Sequence, residues 1–146
     1  MDFELRVKLA IYRGTARRGL PPRPDELARE LDASIDQLRS AYADLARRRL
    51  LVLEPDGLGI RMAPPFSGVP TQHRVRVVGI DYFASCAWDA LGIPAALRRP
   101  GQVRSRCARS REPLRLEIGL RGPGRSAWLF HCLVQAAQWW KDIVFT

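Results

Sequence analysis

Residues 24–62, PDELARELDASIDQLRSAYADLARRRLLVLEPDGLGIRM, read as two short helices followed by a hairpin. Pro24, Asp25 and Glu26 open the first of these helices, because a helix start tolerates proline and its exposed N–H groups favour acids. Leu27, Ala28 and Leu31 fall on its inward side. Asp32-Ala33-Ser34 forms a turn, and the Ser34 hydroxyl is the expected N-cap of the next helix, 35–48. In that helix Ile35, Leu38, Tyr42 and Leu45 recur at helical spacing. Leu50–Leu53 reads as a strand, Glu54–Gly59 as a turn and Ile60–Met62 as the returning strand. On the N-terminal side, Phe3, Leu5, Val7, Leu9, Ala10, Ile11 and Ala16 lay an imperfect apolar stripe along a helix over 3–18, stopped by Gly19-Leu20-Pro21-Pro22.

Helix, short helix, turn, helix, hairpin is the order of a winged helix, so 1–63 is read as a winged-helix-like lobe. Beyond it, Pro64-Pro65-Phe66-Ser67-Gly68-Val69-Pro70 marks a linker over 64–72. Residues 73–146 alternate as an antiparallel sheet would. Strands are expected at 73–78, 102–107 and 114–118, with a hairpin turn at 108–113 and a buried strand at 127–134. A helix is expected over 82–92, closed by Gly92-Ile93-Pro94, with a helix start at 136–142 and an extended apolar Ile143–Phe145. The fold class is therefore α+β, a helical lobe followed by a mainly antiparallel sheet lobe with one prominent helix.

Composition narrows the function classes. The chain has 146 residues, 24 Lys+Arg against 15 Asp+Glu, and a net charge of +9. Its apolar content of 47% suits a globular protein. No apolar run approaches the ~20 residues that span a bilayer, and Met1–Arg6 is charged at once, unlike a signal peptide. A cytoplasmic protein without membrane association is expected. Cys86, Cys107 and Cys132 are odd in number and form no Cys-x-x-Cys pair, which argues against a disulfide framework. His73 and His131 are too few for a histidine-rich metal site.

Charge is uneven. Residues 1–70 hold 12 basic and 10 acidic side chains, and residues 71–146 hold 12 and 5. In a DNA-binding reading, helix 35–48 enters the major groove and offers Gln37, Arg39, Ser40 and Arg47. The near-balance of this half instead favours a packing or oligomerisation lobe. Residues 98–125 hold nine arginines opposed only by Glu112 and Glu117. Such a surface is either a solvated sheet face or a patch for an anionic partner. Trp128, Trp139 and Trp140 are read as core or interface residues, and an exposed tail would offer a dimer surface.

The chemistry-bearing stretch is Tyr82–Leu97, YFASCAWDALGIPAAL. Cys86 and Asp89 are three apart, which on a helix sets thiol and carboxyl about one turn apart on one face. Phe83, Ala87, Ala90 and Leu91 would bury that turn and push the carboxyl upward. A neutral acid beside a soft sulfur can donate a proton next to a metal ligand. A buried cysteine with a helix-start aspartate is the structural alternative.

The segment resembles the alkylmercury lyase (organomercurial lyase) family, whose pattern is aromatic-x-x-Cys-x-x-Asp-x-Leu-x-x-Pro-Ala-Leu. Cys86, Asp89, Leu91, Pro94 and Ala95 match it, and Leu97 follows closely. Val103-Arg104-Ser105-Arg106-Cys107 resembles the family's segment with a further, structural cysteine, and the helical front lobe is also a family feature. The resemblance implies protonolytic cleavage of a carbon–mercury bond, with Cys86 as the first mercury-binding thiol and Asp89 as the acid. It implies no cofactor: Hg(II) is substrate or product, external thiols assist, and soft mercury prefers thiolate. The family's second catalytic cysteine falls, on this alignment, at or just beyond Thr146. Cys107 and Cys132 are the remaining candidates for a second thiol. Cys132, beside His131 in an expected buried strand, is read as core, since neighbouring strand residues point to opposite faces.

The alternatives are a winged-helix DNA-binding regulator with a ligand- or metal-sensing C-terminal lobe, and the same fold repurposed for other Cys/Asp chemistry on an organic substrate. The expected partners are a small-molecule substrate, DNA under the regulator reading, and a second copy of the chain.

Overall fold

The computed structural model describes residues 2–145. Three helices come first: α1 (Phe3–Arg18), α2 (Pro24–Leu31) and α3 (Ile35–Arg47). Their ends are set locally. Gly19 closes α1 in the left-handed region, φ 86°, and its N–H donates to the Thr15 carbonyl at 2.8 Å. Ser34 and Gln37 form a capping box at the start of α3. The Gln37 N–H donates to the Ser34 Oγ at 3.1 Å, and the Ser34 N–H donates to the Gln37 Oε1 at 2.8 Å. Strands β1 (Val52–Leu53), β2 (Ile60–Ala63) and β3 (Phe66–Ser67) form a small antiparallel sheet. Val7, Ile11, Leu27, Leu38, Tyr42 and Leu45 make the first core cluster between these helices.

The second sheet has β4 (Arg74–Val77), β5 (Ile80–Phe83), β6 (Gly101–Arg106), β7 (Pro113–Gly119) and β8 (Gly122–Pro123), ordered β5-β4-β6-β7-β8 and antiparallel throughout. Helix α4 (Ala87–Leu97) covers one face, where Val75, Val77, Tyr82, Ala90, Ile93, Val103 and Ile118 form the second cluster. This is the α+β architecture expected.

Several details differ from expectation. The stretch 64–72 carries β3, and Phe66 is buried in the second cluster and bridges to Ala84. The helix expected at 82–92 begins later, because Tyr82 and Phe83 belong to β5, paired with β4 through a two-residue turn at Val78 and Gly79. It also runs past Gly92 and Pro94 to Leu97. Ile93 and Pro94 are buried, so packing on the sheet outweighs the proline's missing N–H. The strand expected over 127–134 does not form. Leu129 is 92% exposed there, and the sheet's last strand is only Gly122–Pro123, too short an edge to pair with. Residues Ala136–Lys141 are a 3-10 helix, and Ile143–Phe145 turn rather than extend. The Trp88 ring meets that of Phe130 at 5.9 Å, and Arg49 lies 5.9 Å from the Trp140 ring. Among the described residues no helix is long and apolar enough to cross a membrane.

Candidate active site

The site lies where β5 ends and α4 begins. Cys86 is the N-cap of α4, with extended backbone (φ −149°, ψ 177°). Its Sγ accepts the Asp89 N–H at 3.4 Å, the role a serine oxygen plays at other helix starts. Cys86 therefore stands just outside the helix, with Asp89 in the first turn, and thiol and carboxyl meet there.

Burial dominates both ionisations. It pushes the Asp89 carboxyl up to about 6, partly offset by the hydrogen bond from the Cys86 thiol. Burial also pushes the Cys86 thiol up, and the Asp89 charge adds to this, while the N–H groups of Asp89 and Trp88 pull it down. The resting pair is thus a protonated thiol against a carboxyl that takes up a proton at an unusually high pH.

From the front lobe, Tyr12 of α1, which the sequence reading did not single out, lies within reach of the Asp89 charge. Its hydroxyl donates to the Pro64 carbonyl at 2.9 Å, and its ring stands edge-on to Phe66 with centroids 6.3 Å apart. Burial pushes the Tyr12 hydroxyl up, and the Asp89 charge adds to the effect. Nothing local marks Tyr12, because Tyr12 and Asp89 are 77 positions apart in the chain. The Ser85 Oγ, next to Cys86, is buried without a protein partner. Of the residues expected to bury the turn, Ala90 does so, whereas Phe83 points to the other face of the sheet beneath Arg74.

The other cysteines belong to other segments, the β6–β7 turn and the tail. Cys107 starts the β6–β7 turn, its N–H donating to the Glu112 carbonyl at 2.9 Å. Hydrogen bonds from Ser110 and Arg109 draw its thiol below the ordinary value. Cys132 is exposed and not core, since the strand that would have buried it is absent. Among the described residues no cluster of three His, Cys, Asp or Glu side chains could hold a metal ion. His73 is half-buried, with Nδ1 2.7 Å from the Ser105 Oγ, and burial lowers its pKa.

On α3 the residues of the DNA-binding reading are exposed, but three are engaged within the chain. Gln37 is held in the capping box, Arg39 donates to the Asp56 carbonyl at 2.5 Å, and Arg47 pairs with Asp44. Ser40 is exposed.

The family model for alkylmercury lyase (MerB) matches residues 66–146, more than half of the chain and the whole of the Cys86–Asp89 turn. The chain belongs to the alkylmercury lyase family. A curated alkylmercury lyase of Streptomyces lividans is 32% identical over 101 residues, covering 69% of this chain and 45% of that protein. The crystal structure of the mercury-bound form of MerB2 superposes with a TM-score of 0.63 at 23% identity, covering 84% of this chain and 60% of that one. This alkylmercury lyase homologue therefore shares their fold and spans about half the length of its curated relative.

Proposed function

We propose that the chain cleaves carbon–mercury bonds, with Cys86 taking the mercury and Asp89 carrying the proton. The observation that carries this reading is the contact of a helix-capping thiol with a carboxyl held at about 6. As an organomercury thiolate arrives, the Cys86 sulfur bonds to mercury and the thiol proton passes to the Asp89 carboxylate. That proton then moves to the carbon as the carbon–mercury bond breaks, and its electron pair leaves with the carbon. A hydrocarbon departs, Hg(II) stays between Cys86 and the external thiolate, and Asp89 is again a carboxylate. The external thiol supplies the second sulfur that soft Hg(II) prefers. Burial matters twice, since a dry site strengthens the proton transfer and holds Asp89 neutral long enough to donate.

The test uses phenylmercuric acetate with excess thiol and gas-chromatographic measurement of benzene. The full chain is expected to release benzene and retain Hg(II). Cys86→Ser should abolish both, Asp89→Asn should slow release at least a hundredfold, a typical acid–base contribution, and Cys132→Ser should change neither. Absence of benzene and of retained Hg(II) with the unmutated chain would reject the reading.

A further inference from the structure

We infer that the open face of the five-stranded sheet binds the phosphate backbone of nucleic acid. The strand register sets Arg74 opposite Arg104 and Arg104 opposite Arg115, so three arginines stand side by side on β4, β6 and β7. With strands ~4.8 Å apart, the row extends over ~10 Å. Like charges directly opposite each other destabilise a sheet, so nothing in folding calls for this row. It is only partly neutralised. Among the described residues, only Arg76 and Arg115 on this face reach a carboxylate, Asp81 and Glu117, each at 3.8 Å and all four well exposed. Arg74 lies 5.4 Å from the Phe83 ring centroid, and Arg104 donates to the Gln102 Oε1 at 2.9 Å. Arg106 and Arg111 continue the basic strip, and two adjoining shallow grooves run along it.

The shape and lining choose the occupant. A small-anion site would be concave and enclose most of its ligand, whereas these grooves are open. A protein interface has an apolar centre within a polar rim. Here the arrangement is reversed, because arginines occupy the middle and the apolar Pro113, opposite Arg106, lies at the margin. Guanidinium forks pair with phosphate oxygens two at a time. The one aromatic ring on the row is already covered by Arg74, leaving no platform for base stacking. Binding is therefore to backbone, without sequence preference. Helix α4 and the Cys86–Asp89 turn lie on the opposite face, so this surface is independent of the proposed lyase chemistry.

The experiment is fluorescence anisotropy of a labelled 20-nucleotide single strand of mixed sequence with the full chain, between 50 and 200 mM salt. The variant Arg74→Gln/Arg104→Gln/Arg115→Gln is compared with Arg13→Gln/Arg17→Gln/Arg48→Gln, which removes the same charge from exposed positions on α1 and just after α3. The sheet variant is expected to bind at least tenfold more weakly at 50 mM salt. Its slope of log affinity against log salt should fall by about 2, at ~0.7 for each phosphate no longer neutralised. The comparison variant should change affinity less than twofold. Should the triple variant not fold, Arg104→Gln alone is expected to lower the slope by about 0.7. The inference is overturned if the unmutated chain does not bind, if both triple variants lose affinity equally, or if poly-glutamate competes as well as the oligonucleotide, which would mark an acidic protein partner.

Discussion

Asp89 is the residue whose burial bears on both stability and the proposed chemistry. Its carboxyl titrates at about 6 in the fold and near 4 in an unfolded chain. The fold therefore favours the protonated form, and that contribution is complete below about pH 4 and is lost as pH rises through about 6. After discounting for partial exposure, ionising Asp89 above pH 6 costs about 1–2 kcal/mol of stability. Asp89→Asn keeps the shape of the neutral acid, so it should raise the denaturation midpoint at pH 7.5 and leave it unchanged at pH 4. Equal shifts at both pH values would show that burial of charge is not the cause. Burial and hydrogen bonding likewise separate two of the thiols. Burial pushes Cys86 up, while Ser110 draws the exposed-turn Cys107 down, so at pH 7.5 iodoacetamide should modify Cys107 well before Cys86. Peptide mass spectrometry at timed quenches checks this, and prior loss of the Cys86 thiol would contradict it. At this scale the spacing of Cys86 and Asp89 suggested their proximity, and the family resemblance of the segment around them singled the pair out. The sequence did not disclose Tyr12 or the buried Ser85 hydroxyl, because no local pattern encodes packing between distant segments.

Among the elements, the β4–β5 hairpin explains why the start of α4 was hidden. A two-residue turn that matches strand twist needs positive φ at both positions and favours Asn-Gly. Here Val78 and Gly79 occupy it, at φ 47° and 80°. A β-branched residue is strained in that region, so its presence masks the turn, and Tyr82–Phe83 read as the start of a helix. Val78 is 75% exposed and packs on little, so its replacement leaves the core intact. Val78→Asn should stabilise the protein by about 1 kcal/mol and raise Tm by about 2–4 °C, measured by thermal unfolding in circular dichroism. A fall in Tm would mean that the hairpin does not hold Val78 in this conformation. The capping box of α3 and the proline start of α2 were legible because both signals are local. The absent strand at 127–134 was not, since its apolar residues suit a ladder but no adequate edge is offered to them.

On the scale of the whole molecule, α1 ties the two clusters together. Tyr12 packs against both, the Tyr82 hydroxyl donates to the Ala16 carbonyl at 2.6 Å, and Gly19 sits so close to the Asp81 carbonyl that an added Cβ would lie 2.1 Å from it. Division into 1–63 and 73–146 as independently stable lobes is one outcome of this architecture, and a single cooperative unit is the other. The packing of α1 favours the second, because removing this helix would uncover Phe66 and Tyr82. Spectroscopy can separate them cleanly, since Trp88, Trp128, Trp139 and Trp140 all lie in the second half while α1, α2 and α3 lie in the first. Helical circular dichroism thus reports mainly the front lobe, and tryptophan fluorescence mainly the sheet lobe and tail. Urea titrations followed by both signals should give coincident midpoints, as a two-state transition requires. Midpoints separated by more than about 0.5 M, well beyond fitting error for slopes of ~1–3 kcal/mol/M, would show two lobes that unfold independently. Contacts between the front lobe and the second cluster would then rest on a docking equilibrium rather than on the fold itself.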